Sequence, residues 1–427
     1  MRTPSLCLLA AWLAFDTAAG AAWAASPLSW ADCVGQAREN HPGLVAARKN
    51  VEAAEAAIRS ARSGHLPQLT ASGRGNYADG SEMTGGEDDY RATVDLEQNL
   101  YDGGSTRSAI RLAEADRAVV LSEARQTEAD ILYDLRLAYV DLLFAQTQLG
   151  LLQQIQGRRA DNVEMVELRY LGGQEHQGSL ALNQASLREA EVDLQQAQRN
   201  LETAQSVLAR AMGLEGARPD LAVSGSFEDV QAPGAYDVTE LLRLTPAYMR
   251  AQATYERAVA QLADARSGRY PTVSAYGSAA RYGGTLDVEE DSLGAGVRVT
   301  LPLWEGGRTG AEIRQAAARK AAAQASLLDT ANTQQTALDN ALRDYRNTGE
   351  AVAVQRQFLA AQELRATIAR EQYGNGLLQF DNWDIIENDL ISRQKSLLEV
   401  RRQAVRSEAA WWRATGLGLA ELSGEKP

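Results

Sequence analysis

The chain states nearly the same pattern twice, about 203 to 204 positions apart, and a duplication of that length constrains the architecture more than any single motif does. His41-Pro42 opens one copy, which runs to Ala61-Arg62-Ser63-Gly64 and Pro67; Thr245-Pro246 opens the other, which runs to Ala265-Arg266-Ser267-Gly268 and Pro271. Leu100-Tyr101-Asp102-Gly103-Gly104 answers to Leu303-Trp304-Glu305-Gly306-Gly307, with Thr106, Ile110 and Arg111 answering to Thr309, Ile313 and Arg314. Tyr170 and Gly173 match Tyr373 and Gly376, and Met212-Gly213-Leu214 matches Thr415-Gly416-Leu417. Two copies are too few for a solenoid. The 427 residues therefore read as one body of two fused halves, not as two or three separate domains.

Proline marks where the halves change character. None occurs between Pro67 and Pro219 or between Pro302 and Pro427, so these spans read as helix of unusual length. Ile131, Leu135, Ala138, Leu142, Ala145, Leu149 and Leu152 alternate spacings of four and three, a coiled-coil seam. A second seam runs Leu187, Ala190, Leu194, Ala197, Leu201, Ala204, Leu208 and Ala211; its register recurs at Leu390, Arg393, Leu397, Val400, Ala404, Ser407, Trp411 and Ala414. An ordinary soluble helical bundle would show the same seams. A continuous helix from Ser105 to Tyr170 would reach about 100 Å, more than a compact domain needs, with Gly150 and Gly157 as places where it would bend or break.

Strand patterns precede each long span. Tyr90, Ala92, Val94, Leu96 and Leu100 alternate with Arg91, Thr93, Asp95, Glu97 and Asn99; Leu293, Ala295, Val297, Val299, Leu301 and Leu303 share a face opposite Arg298 and Thr300. Each has an upstream partner: Leu69, Ala71, Gly73, Gly75 and Tyr77 in the first copy, Val273, Ala275, Gly277 and Ala279 in the second. Polar, acidic hairpin loops separate the partners. Such strands suit a transmembrane barrel or a small soluble sheet, and the aromatics Tyr77, Tyr90, Tyr101, Tyr270, Tyr282 and Trp304 near strand ends favour the membrane. Four strands cannot close a barrel, and open edges are prohibitive in lipid, so a membrane reading requires several chains to share one.

Arg2, the apolar run from Leu6 to Phe15 and Ala22-Trp23-Ala24 read as a secretory signal peptide over residues 1–24. The expected organisation is then a first repeat over 25–219 (hairpin 66–101, helical hairpin 104–213), a linker over 220–240, and a second repeat over 241–427 (hairpin 270–304, helical hairpin 307–416). Only Cys33 survives cleavage, so no intramolecular disulfide is available. No later stretch reaches the roughly 18 to 20 apolar residues of a spanning helix. A net charge of −13 disfavours nucleic acid and anionic lipid surfaces as partners. The three histidines His41, His65 and His176 have no metal-ligand spacing, and no nucleophile or phosphate-binding motif is present; no enzyme, cofactor or metal site is expected.

The duplicated helix–hairpin–helix plan, the Leu-aromatic-acid-Gly-Gly junctions and the Tyr-x-x-Gly tips at Tyr170 and Tyr373 together resemble the TolC family of outer-membrane efflux proteins, over about Leu28 to Leu419. That resemblance implies a mainly α fold with four strands per chain. Three chains would form a homotrimer with one 12-stranded barrel in outer-membrane lipid and a long periplasmic α-barrel. It also implies a passive conduit in a tripartite export system, with a periplasmic adaptor (membrane fusion protein) and an inner-membrane transporter of RND, ABC or MFS type. Gly103, Gly104, Gly306 and Gly307 would turn strand into helix. Tyr170, Gly172, Gly173, Tyr373, Gly376, Leu377 and Leu378 would form tips that contact the adaptor, although the first tip, Gly172-Gly173-Gln174-Glu175-His176-Gln177-Gly178, lacks the family's Gly-Leu pair. Asp381 and Asp384 would line an acidic periplasmic aperture; the alternative is that they are carboxylates near the start of a helix, favoured there by its dipole. The rival reading is a soluble periplasmic coiled-coil scaffold or adaptor.

Overall fold

The computed structural model describes residues 27–76, 89–214, 220–227, 236–283 and 290–416. The signal segment, Tyr77, most of both hairpin loops and Leu417 lie outside the described residues. Elements occur in the order α1 (Trp30–Asn40), α2 (Pro42–Arg62), β1 (Gln68–Asn76), β2 (Asp89–Tyr101), α3 (Ser105–Leu171), α4 (Gln177–Ala211), α5 (Val238–Leu244), α6 (Pro246–Ser267), β3 (Thr272–Gly283), β4 (Glu290–Thr300), α7 (Arg308–Gly374) and α8 (Phe380–Thr415). The duplication is thus visible element by element. α2 and α6 even start alike, with proline in the first turn after the N-caps His41 and Thr245.

α3 and α7 are each 67 residues long, about 100 Å of rod. α3 runs unbroken through Gly150 and Gly157, where a bend was expected. The roughly 1 kcal/mol lost at each glycine is offset by buried neighbours, Leu152 and Ile155 among them, packed on Ala190 and Ala197 of α4. The seam residues Leu135, Ala138, Leu142 and Ala145 are buried as their spacing requires. Near mid-rod, Cys33, Val34 and Ala37 of α1 pack with Leu135, Leu142 and Leu208; the second-copy equivalents Leu338, Tyr345 and Trp411 form a separate cluster with residues of α5. The core is therefore a series of clusters along a rod.

The four strands form one antiparallel sheet in the order β1-β2-β3-β4. Register puts Leu69, Leu96, Gly277 and Ala295 in one row and Ala71, Val94, Ala279 and Leu293 in another; Thr70, Asp95, Ser278 and Gly294 make a row on the opposite face. One face is apolar and the other polar, and among the described residues none of the long helices packs extensively on either. Leu69, Val94, Leu96, Leu293, Val297 and Val299 are exposed in the single chain. Three details differ from the alternation in the sequence. A bulge between Asn99 and Tyr101 sets Tyr101, not Leu100, opposite Val273. β4 ends at Thr300, short of Leu301 and Leu303. Tyr282 pairs with Arg91 on the polar face and lies under its guanidinium, so it is not part of an outward aromatic girdle.

Candidate functional site

The hairpin tips stand at the end of the rods remote from the sheet, and both are built the same way. Gly173 and Gly376 have φ of 71° and 74°, a conformation that costs other L-residues roughly 1–2 kcal/mol. The chain reverses through paired bonds from Gly173 N to Tyr170 O (3.0 Å) and Gln174 N to Arg169 O (2.8 Å), matched by Gly376 N to Tyr373 O (3.0 Å) and Leu377 N to Gln372 O (2.8 Å). Each tip carries one strongly exposed leucine at a different place: Leu171, 74% exposed, on the first and Leu377, 79% exposed, on the second. Tyr170 and Gly172 are exposed at the first tip, while Leu378 packs into the core of the second.

The two tips are latched to each other. Tyr373 is fully buried, stacks flat on Trp383 with centroids 4.4 Å apart, and meets the edge of Phe380. Arg169 lies over the Tyr373 ring at 4.7 Å and donates to the Tyr373 carbonyl at 2.8 Å. The Tyr373 hydroxyl donates to Glu175 at 3.1 Å, and Ser179 donates to the second oxygen of that carboxylate at 2.9 Å. Burial, with the Glu175 charge adding to it, pushes the Tyr373 phenol upward, so it remains a donor.

One turn and more further along, Arg159 of α3 reaches Asp384 of α8 at 3.9 Å and donates to Asn388, which itself donates to Asp384 at 2.9 Å. Burial raises the Asp384 pKa and Arg159 only partly offsets it. Arg370 donates to Asn162 at 3.0 Å. Asp381 is exposed in the first turn of α8, whereas Asp384 is turned toward Arg159. The site is rich in frustrated polar groups: Arg159 Nη1, Asn162 Nδ2, Arg169 Nε, Asn183 Oδ1, Trp383 Nε1 and Glu387 Oε2 are buried with no hydrogen-bond partner among the described residues.

At the sheet end, Gly103, Gly104, Gly306 and Gly307 have φ of 67°, 90°, 61° and 86°. A Cβ on Gly103 would come within 2.8 Å of both the Ser267 carbonyl and Tyr270, so space as well as φ requires glycine there. Asp102 accepts from Gly104 N at 3.0 Å and Thr106 N at 2.7 Å, supplying the cap that a glycine N-cap cannot. Sequence reasoning named the glycines and both aspartates but missed Arg159, Asn388 and the role of Glu175.

The sequence matches the model of the family described as Outer membrane efflux protein over residues 33–214 and 238–417. It is 24% identical over 399 residues to the outer membrane efflux protein BepC of Brucella suis, covering 91% of this chain and 85% of that one. Among solved structures it is similar to the open state of the MtrE outer membrane channel of Neisseria gonorrhoeae (TM-score 0.80, 19% identity, 91% of this chain and 89% of that chain). It is also similar to the outer membrane protein VceC of Vibrio cholerae (TM-score 0.75, 20% identity, 91% and 96%).

Proposed function

The chain belongs to the outer membrane efflux protein family, whose members are trimeric outer-membrane channels of tripartite efflux systems, and from that premise we propose how its parts divide the work. Three copies of the four-stranded sheet close one barrel, with the apolar face toward lipid and the polar face toward the lumen. The rods continue the conduit through the periplasm. The observation that carries this reading is the sheet itself: its two faces differ sharply in polarity and the chain's own long helices cover neither. In water that arrangement would leave a row of apolar side chains exposed. In a shared barrel it is the required one.

The tips are the gate and the docking end. Leu377 and Leu378 beside Gly376, with Tyr170, Gly172, Gly173 and Tyr373, engage a periplasmic adaptor, which couples the channel to an inner-membrane transporter of RND, ABC or MFS type. The Arg169–Tyr373–Glu175 latch and the Arg159–Asp384–Asn388 cluster hold the tips together. Buried polar atoms without a hydrogen-bond partner among the described residues, each costing about 1–3 kcal/mol, weaken that arrangement. Asp384, released from Arg159 when the latch opens, joins the already exposed Asp381 in facing a passing cation. Residues 1–24 serve as the export signal, the two repeats as quasi-equivalent halves of the wall, and the four junction glycines as the turns from strand to rod.

Separation of outer membrane from periplasm, followed by detergent extraction and native mass, tests the reading. A trimer confined to the outer membrane is the expected result. A soluble periplasmic species would overturn it in favour of a scaffold.

A further inference from the structure

Duplication makes every contact between the two halves of one chain an expectation about contacts between neighbouring chains. Near the sheet, α2 packs on α3, α3 on α6, and α6 on α7. The α3–α6 seam joins the first copy to the second within a chain. Its counterpart, α7 against an α2, has no place within the chain and can be made only with another copy. The same holds lower down, where α3 packs on α8 and the counterpart would be α7 against an α4. The burial of the two long helices reflects this difference: with equal lengths, α3 buries 16 residues and α7 buries 8.

Residue by residue, the counterparts are complementary. Arg125 of α3 contacts Met249 of α6 at 3.0 Å. Adding 203 to the first and subtracting 204 from the second gives Leu328 and Val45, two apolar side chains that are 63% and 41% exposed in the single chain. Gly103 lies against Ser267 and Tyr270; the counterparts are Gly306, with nothing within 4 Å of its Cβ direction, and Ser63 with the exposed Leu66. Asp141 of α3 pairs with Arg402 at 3.8 Å and Arg406 at 3.4 Å on α8. The counterparts of Asp141 and Arg402 are Asp344 and Arg199, an acid and an arginine again. Within the described residues Arg199 forms no ion pair, and Asp344 pairs only with its sequence neighbour Arg343.

We propose that α7 repeats the α3–α6 and α3–α8 seams against a second copy of this chain: Leu328 meets Val45 of the partner subunit, Gly306 sits beneath Leu66 of the partner subunit, and Asp344 pairs with Arg199 of the partner subunit. The inference rests on the trimeric reading above and adds to it the residues that close the ring. Three such pairs spread along the rod fix its register, since a slip by one turn would separate all of them at once. They also explain why the two halves diverged while keeping one plan. The same helix faces serve once inside a chain and once between chains.

Disulfide trapping in isolated outer membranes tests this with the full-length chain in a Cys33→Ala background. Leu328→Cys combined with Val45→Cys is expected to give covalent dimers and trimers on mild oxidation, reversed by reductant. Neither single variant, nor Leu328→Cys with Glu52→Cys two turns away, should do so. A native trimer without this ladder overturns the assigned contacts and leaves the channel reading standing; a monomeric parent overturns both. In a parallel charge exchange, Asp344→Arg should lower the temperature at which the detergent-solubilised trimer dissociates, and adding Arg199→Asp should restore it. No restoration by the second reversal would overturn the ion pair.

Discussion

Replacing Arg159 by alanine should loosen the closed tip. The guanidinium is 3.9 Å from the Asp384 carboxylate, with side chains 7% and 16% exposed, so neither charge is well screened by water. At an effective dielectric of about 20, unit charges at that distance attract by about 4 kcal/mol. Part of this is recovered, because Asn388 still donates to Asp384 and the buried arginine no longer has to be desolvated. A net loss of about 2 kcal/mol per chain remains, or about thirtyfold in the closed-to-open ratio of one tip. The direction of the pH effect provides an internal check. The Asp384 pKa already lies above its ordinary 3.8 because burial outweighs Arg159, so the closed tip binds a proton more tightly than an open, hydrated one. Closure is therefore favoured by acid and loses that contribution as pH rises through the shifted value. Without Arg159 the shift grows, and Arg159→Ala should conduct more than the parent at neutral pH and approach it on acidification. Planar-bilayer conductance reads both. Parent-like closure of Arg159→Ala at neutral pH, or a defect that worsens on acidification, would refute the reasoning.

Gly103→Ala is expected to cut the yield of folded trimer sharply, because a Cβ there meets Ser267 and Tyr270 at 2.8 Å, whereas Gly104→Ala incurs only the left-handed backbone cost of roughly 1–2 kcal/mol; thermal melting of the extracted proteins should rank them in that order. Cys33 is fully buried and burial pushes its thiol up to about 12, so alkylation at neutral pH should occur only after unfolding, as intact mass would show. Leu377→Asp should leave trimer assembly unchanged and abolish export in cells that otherwise carry the whole system, because Leu377 is 79% exposed and contributes little to packing; loss of the trimer would contradict this.

The parts of the fold that repeat along the chain were legible in it. Long proline-free seams and alternating strands follow from local spacing, and the doubled Gly-Gly junctions mark where one period gives way to the other. What spacing cannot convey is which distant residues meet. Arg159 and Asp384, Arg169 and Tyr373, and Glu175 and Tyr373 lie about two hundred positions apart, and nothing near any of them in the chain announces the partner. The bulge at Leu100 was hidden for a related reason. It inserts one residue without altering composition, so alternation continues on paper while Tyr101 takes the place opposite Val273.

The latch was hard to foresee also because it breaks the symmetry that made the rest readable. By repeat equivalence Tyr170 should do what Tyr373 does, yet Tyr373 is fully buried under Arg169 and against Trp383 while Tyr170 is exposed. The difference traces to the returning helices. α8 offers Phe380 and Trp383 in its first two turns; the equivalent positions of α4 are Gln177 and Leu180, which provide no aromatic surface to stack on. Only one of the two quasi-equivalent tips can therefore serve as the keystone, and the other contributes Arg169 and Glu175 to it. If the tips are the gate, as proposed, opening would release one tip from the other within each chain, so removing the Trp383 ring should loosen the tips even with every charged residue in place. Trp383→Leu, which keeps most of the apolar volume but not the stack, separates the two contributions. Increased basal conductance with a normal trimer would locate the restraint in the aromatic stack, and unchanged conductance would assign it to the ionic pairs.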